Sequence, residues 1–239
     1  MLSDLHGNPF ALDAVLAELA DVDELVCLGD VAIGPFPVET VRRLRDLGCP
    51  VAMGNWDAWL LDGIPGLSGE VGPRLRAQGE WCAARLDDED RGFMRGFERR
   101  LELTLDGTRA VMFHASPRSH SELLLPEISR EELDAALVGV DAELLLAGHT
   151  HLQTLRRRPS SLFANPGSVG LPFSEWPGGG SLRVSRWAEY ALATVDGSGL
   201  RLEFRRVSYD VDALLAAVRE SGMPHADWWA SCWDASEGE

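Results

Sequence analysis

Lysine is absent. All 22 basic residues are arginine, set against 38 carboxylates, for a formal net charge of −16. A chain without basic excess has no counterions to release from a phosphate backbone, so long nucleic acid is not an expected partner. The missing lysine reads as compositional bias rather than function, and a local arginine cluster would still suffice to grip a small phosphate. Cysteine is scarce and scattered: Cys27, Cys49, Cys82 and Cys232 form no C-x-x-C pair. That argues for buried free thiols over disulfides or a zinc knuckle. No apolar run approaches a membrane span, and no basic head with an apolar body precedes the first motif. A membrane partner is therefore not expected, and the reducing cytoplasm is the expected location.

What is present is ordinary globular material, 45% hydrophobic and 25% charged over 239 residues. Residues 1–239 are read as one domain on that basis. Residues 1–8 carry Asp4 and His6 two apart, ahead of a Gly-Asn turn and a helical pattern over 9–20. Only three residues precede Asp4. A buried strand usually needs about five, so the natural chain is expected to begin several residues earlier. Residues 25–30, Leu-Val-Cys-Leu-Gly-Asp, form a continuous apolar run ending in Asp30, the pattern of a strand buried on both faces. A helix over 38–47 closes at Gly48, and a short strand over 50–53 runs into Gly54-Asn55-Trp56-Asp57. Residues 58–100 turn helical and charged, with Trp81, Leu86, Phe93, Met94 and Phe97 as the apolar stripe and a glycine-rich loop over 63–72. This excursion either flanks the site as a lid or simply packs the sheet.

Residues 101–105 and 109–113 flank Asp106-Gly107 as a hairpin that ends in His114-Ala115-Ser116-Pro117. A helix over 128–138 has Ser129 at its N-cap and Glu131 and Glu132 in its first turn. A strand over 141–147 leads into Gly148-His149-Thr150-His151. In an extended segment alternate residues point the same way, so His149 and His151 are expected to face one pocket. A hairpin-like pair, 152–157 and 161–164, feeds Asn165-Pro166-Gly167-Ser168-Val169-Gly170. Residues 172–186 carry no readable pattern. A hairpin over 187–195 and 200–207 turns at Asp196-Gly197-Ser198-Gly199, and a helix over 211–220 follows. Residues 208–239 are thus a helix and a tail, with Trp228, Trp229 and Trp233 docking the tail on the body.

Repeatedly, then, an apolar strand delivers a polar residue into a loop: Asp4 and His6, Asp30, Asn55, His114, His149 and His151. Four of the six histidines fall at such positions. In open α/β sheets this edge, beyond the strand carboxyl ends, is where ligands bind. Two carboxylates, an amide and four imidazoles are too many ligands for one catalytic ion and suit two. Mixed oxygen and nitrogen ligation without thiolate points to Mn²⁺, Fe or Zn²⁺ rather than Mg²⁺ or Ca²⁺.

The ordered set Asp4-Leu5-His6, Gly29-Asp30, Gly54-Asn55, His114 and Gly148-His149-Thr150-His151 resembles the calcineurin-like metallophosphoesterase superfamily, from Ser3 to about Val207. The spellings Ser-Asp-Leu-His-Gly-Asn, Gly-Asp-Val-Ala-Ile-Gly-Pro and Asn-Pro-Gly-Ser-Val-Gly are similar to its small bacterial and archaeal phosphodiesterase-like branch. The resemblance implies an α/β (α+β) fold, a four-layer αββα sandwich of two mixed β-sheets with flanking helices. It implies one ion held by Asp4, His6, Asp30 and His151, and a second by Asp30, Asn55, His114 and His149. In the implied arrangement Asp30 would bridge the ions, and Asp30, Asn55 and His114 would be the catalytic positions. The implied cofactors are two divalent ions, manganese first, with iron or zinc as alternatives. The implied activity is hydrolysis of a small nucleotide-like or other organic phosphodiester by a hydroxide shared between the ions.

One departure matters. Many members carry histidine directly after the Gly-Asn asparagine, and here that position is Trp56. Good leaving groups are then expected to be favoured over alkyl phosphomonoesters. Arg118 and His120 are the candidates for contacting substrate. Protein phosphatases and dinucleoside-polyphosphate hydrolases usually read Gly-Asp-x-x-Asp-Arg-Gly and Gly-Asn-His-Glu, which this chain lacks. A non-catalytic interaction scaffold with this fold is the remaining alternative, although every ligand position is filled.

Overall fold

The computed structural model describes residues 1–178 and 182–234. Part of the 172–186 excursion, residues 179–181, and the end of the expected tail, residues 235–239, lie outside the described residues.

Two sheets form the frame. In the first, β1 (Leu101–Leu105), β2 (Thr108–Met112), β3 (Leu144–Leu146), β4 (Thr154–Arg157) and β5 (Leu162–Asn165) run in the order β1-β2-β3-β5-β4. The pairs β2·β3 and β3·β5 are parallel and the two outer pairs antiparallel, so the sheet is mixed. All three residues of β3 are buried, as its unbroken leucine run requires for a strand covered on both faces.

The second sheet is built on the long antiparallel pair β6 (Trp187–Asp196) and β7 (Gly199–Ser208). Beside β6, Met1 exchanges hydrogen bonds with Ala191. From there single parallel bridges link Leu2 to Cys27, Cys27 to Val51, and Ala52 to Glu98. The segments expected as strands over 25–30 and 50–53 are therefore single-bridge contacts.

Four layers follow from where the apolar faces go. Val26, Leu28 and Ala52 of the second sheet meet Ala110, Met112, Leu144 and Leu146 of the first, with Ala193, Leu202 and Phe204 packed against them. The outer face of the second sheet carries the helices α1 (Pro9–Ala17), α2 (Pro37–Leu47), α3 (Asn55–Asp62), α4 (Gly72–Ala83) and α5 (Asp88–Arg95). They contribute Leu12, Val15, Val41, Leu44, Leu60, Cys82 and Met94 to a core with Leu2, Cys27 and Val51. The 58–100 excursion thus packs on the sheet. The outer face of the first sheet carries α6 (Arg130–Ala136), whose Leu133 and Ala136 bury Val111, Leu145 and Phe163. Ser129 caps α6 in a reciprocal box with Glu132.

The sequence left residues beyond 220 as a docking tail. Instead they form α8 (Ala226–Asp234), which joins α7 (Val211–Glu220) in an apolar cluster holding Trp229, Cys232 and Trp233. Tryptophans at 229 and 233, one turn apart, face the same side of a helix, and burying that side outweighs weak intrinsic propensity. All four cysteines are free. Among the described residues no helix is long and apolar enough to cross a membrane.

Candidate metal centre

Every strand-end residue named above comes to one edge of the sandwich, in two groups. Asp4, His6 and His151 form one, and Asp30, His114 and His149 the other. His149 and His151 both reach this edge, though not as alternate residues of an extended segment. Both residues take left-handed backbone angles, φ 68° and 57°, and the loop sends one imidazole to each group. Asp4 (φ 53°), His6 (φ 47°) and Asp30 (φ 51°) share that conformation. Left-handed non-glycine residues are uncommon and persist only where surroundings over-determine them.

Those surroundings are a set of buried straps. Asp4 Oδ2 accepts from Ser3 Oγ and from the His149 amide, at 2.5 and 3.0 Å. Ser168 Oγ donates to the Asp4 carbonyl at 2.7 Å. Asn165 Nδ2 donates to the Gly148 carbonyl at 2.6 Å and to Thr150 Oγ1 at 3.0 Å. On the other side Asp57 accepts from three backbone amides, Asp30 and Gly54 at Oδ2 and Val31 at Oδ1. Asp57, Asn165 and Ser168 were not singled out from the sequence. The turn-like spelling 165–170 is the signal for two of them, while Asp57 read only as a deviation from Gly-Asn-His-Glu.

The ring tautomers are set from behind. His114 Nδ1 lies 2.7 Å from the Leu28 carbonyl and His151 Nδ1 2.7 Å from the Leu171 carbonyl. A carbonyl only accepts, so each Nδ1 carries hydrogen and each Nε2 is left facing inward, free to ligate once unprotonated. His6 Nε2 and His151 Nε2 stand 3.1 Å apart. His151 Nε2 is 3.3 Å from Asp4 Oδ1, a buried oxygen with no hydrogen-bond donor among the described residues. Asp30 Oδ2 lies between the groups, 3.8 Å from His6 Nε2 and 3.5 Å from His114 Nε2. Its other oxygen accepts from the Trp56 amide at 2.9 Å.

Asn55 completes the second group. Its Oδ1 is 3.1 Å from His114 Nε2, and the same position lies 2.9 Å from His149 Nδ1. In this orientation the amide oxygen faces both ring nitrogens, the position from which it could also ligate a cation. Buried lone pairs converging on a gap, one of them orphaned, are what a divalent ion neutralises. The residues therefore fit a metal centre.

The electrostatics agree. Burial opposes charge on Asp4, but His151, then His114 and His6, outweigh it and hold the carboxyl well below its usual range. Asp30 is likewise lowered against burial, chiefly by His114. Burial pushes His6 down to about 3 and His149 down to about 4, so both rings are neutral and ligand-ready at neutral pH. His114 goes the other way, since Asp30 and then Asp4 outweigh its burial and raise it to about 9.

Trp56 turns away from the centre, edge-on to Trp59 at 5.0 Å and close against Gly79. An indole there packs the helical layer and offers no acid to a leaving group. His120 is near, its carbonyl 3.3 Å from the Asn55 amide, and burial and then Arg99 lower its ring below the ordinary histidine value. Arg118 is engaged elsewhere: its guanidinium pairs with Glu122 and is 58% exposed.

The calcineurin-like phosphoesterase superfamily domain matches residues 1–191. The fold is similar to that of a metallophosphoesterase from Sphaerobacter thermophilus, with a TM-score of 0.74 and 25% identity over 96% of this chain and 95% of that one. A hypothetical protein from Pyrococcus horikoshii OT3 shares the fold at a TM-score of 0.80, 21% identical over 97% of this chain and 96% of its own. An uncharacterized protein of Methanocaldococcus jannaschii is 24% identical over 249 residues, 94% of this chain and 93% of its own. With a matching domain and two ligand groups at the sheet edge, the chain belongs to the calcineurin-like phosphoesterase superfamily and is a metal-dependent phosphoesterase.

Proposed function

We propose that the protein is a dinuclear phosphodiesterase acting on a small organic phosphate ester. Asp4, His6, Asp30 and His151 would hold one divalent ion, and Asp30, Asn55, His114 and His149 the other. What supports this most is Asp30 Oδ2, which faces a ring nitrogen of each group at once. When bound, two such ions supply Lewis acidity to a phosphoryl oxygen and acidify a coordinated water. Manganese fits the mixed oxygen and nitrogen donors best, with iron or zinc next.

The chain's own residues do the rest. Asp30 and Asp4 bring negative charge that draws cations to the edge. The Leu28 and Leu171 carbonyls lock His114 and His151 in the tautomer that ligates, so no ring has to reorient as charge develops. Of the two candidate substrate contacts, His120, whose backbone carbonyl lies beside the Asn55 amide, is the one proposed for a phosphate or leaving-group oxygen. Arg118 must leave Glu122 to reach substrate. With Trp56 packed inward and no acid in its place, diesters with good leaving groups should outrun alkyl monoesters. The free cysteines fit a reducing cytoplasm.

The test is hydrolysis of bis(p-nitrophenyl) phosphate by metal-stripped protein given back Mn²⁺. Turnover that His149→Ala abolishes, and that exceeds turnover of p-nitrophenyl phosphate, is expected. Equal rates with and without metal would sink the reading.

A further inference from the structure

A cavity of about 290 Å³ is lined by Phe173, the ring that stacks on His151. Phe173 is the wall it shares with the metal centre. That ring stacks on His151 with centroids 4.2 Å apart and 25° between planes, and its backbone amide donates to the His151 carbonyl at 3.4 Å. Phe173 lines the cavity together with Trp176, and the two rings meet at 6.3 Å and 55°. Two aromatic walls at that angle form a corner that a compact group can fill.

The charge on the walls decides which compact group. Glu127, Glu175 and Glu189 line the cavity against one cation, Arg206. Arg206 is already committed: its Nε donates to the buried Glu189 at 3.0 Å while the guanidinium lies 4.7 Å over the Trp187 ring. Glu127 and Glu175 are exposed at the rim, and among the described residues neither takes part in an ion pair. Two aromatic faces under uncompensated carboxylates attract a cation and repel a second anion.

We propose that this cavity is a subsite for a compact organic cation, a quaternary or primary ammonium, carried on a phosphodiester whose phosphate sits at the metal centre. The proposal rests on the phosphodiesterase reading above. Phe173 stacks on His151 and also lines the cavity, so the proposed linker from phosphate to ammonium passes over the Phe173 ring.

The test compares two p-nitrophenyl phosphodiesters on the manganese-loaded full chain, one esterified with choline and the other with its uncharged isostere 3,3-dimethylbutanol. The expected result is kcat/KM about tenfold higher for the choline ester, the size a partly desolvated cation–π contact supplies. Trp176→Ala and Glu175→Gln should each bring that ratio toward one. A ratio of about one in the unsubstituted protein would overturn the proposal. If neither ester is turned over, the phosphodiesterase reading fails, and calorimetric titration decides the subsite by itself. Choline binding that 3,3-dimethylbutanol does not match, weakened about fivefold or more by Trp176→Ala, supports it; no preference between the two overturns it. Phosphatidylcholine vesicles separate the two sources of such a group. With a net charge of −16 and carboxylates at the rim, a soluble ester is favoured and no co-sedimentation is expected. Co-sedimentation that Trp176→Ala removes would keep the subsite and place its cation on a lipid surface.

Discussion

At the scale of single residues, the centre is held by groups that never ligate. Asp57 is the clearest. Its carboxylate ties the backbone of Asp30, Val31 and Gly54 into one knot, which is what aims Asp30 between the two ligand groups. Burial and the neighbouring Asp30 charge push Asp57 up to about 7, and the backbone amides of Val31 and Gly54 pull the other way. Asp57→Ala leaves three buried amides without an acceptor. At about 1–3 kcal/mol for each, a loss of at least about 3 kcal/mol is expected in denaturant unfolding, with partial rescue by Asp57→Asn. A loss under about 1 kcal/mol would mean the knot holds without it. His114 makes a second expectation. With Asp30 lifting it to about 9, the ring carries a proton at pH 7 in the metal-free protein. That proton and a divalent ion compete for the same Nε2, so metal binding must expel it below pH 9 and expels none above. Calorimetry in buffers of different ionisation enthalpy should therefore find about one proton released from His114 at pH 7, fading toward pH 10. Proton release that does not change across this range would contradict the assignment.

At the scale of elements, the chemistry sits where strands stop. The candidate ligands were legible because each follows an apolar run, and alternating strand and helix patterns put all those ends on one edge. Their conformation was not legible. A period-two reading had His149 and His151 on an extended segment, whereas both adopt left-handed angles and go to adjacent groups linked by Asp30. Long-range hydrogen bonds from 165–170 to Asp4 and Gly148 impose that geometry, and sequence periodicity carries no record of them. The same limit hid α8, whose tryptophans read as a tail because their partners in α7 and at Val184 come from elsewhere in the chain. Close approach of these loops makes Gly148 the sensitive point. A Cβ there would stand 1.9 Å from Ser3 Oγ and 2.6 Å from Asp4 Oδ2. Gly148→Ala should cost about 1–3 kcal/mol and weaken metal binding. Adding Ser3→Ala, which removes the nearest atom and leaves Ser3 Cβ at 3.1 Å, should restore part of the stability. No recovery in the double variant would place the strain elsewhere.

At the scale of the molecule, two sheets packed face to face leave one edge on which seven candidate ligands from distant parts of the chain converge. The four-layer sandwich was implied by the resemblance that the ordered motifs carry, whereas the α/β character was legible from strand and helix alternation. The short bridged segments at Leu2, Cys27 and Val51 were less so, since they hold their place through neighbours rather than length. A net charge of −16 repels a dianionic monoester more than a monoanionic diester, and it draws divalent cations, in keeping with the proposed chemistry.

The central claim is that two ions share Asp30, and the most direct measurement is Mn²⁺ titration of the metal-stripped protein followed by electron paramagnetic resonance. Two ions per chain are expected, about 3.5–4 Å apart and therefore exchange-coupled, with the coupling lost in Asp30→Asn. A single ion per chain, two uncoupled ions, or coupling that survives Asp30→Asn unchanged would contradict it.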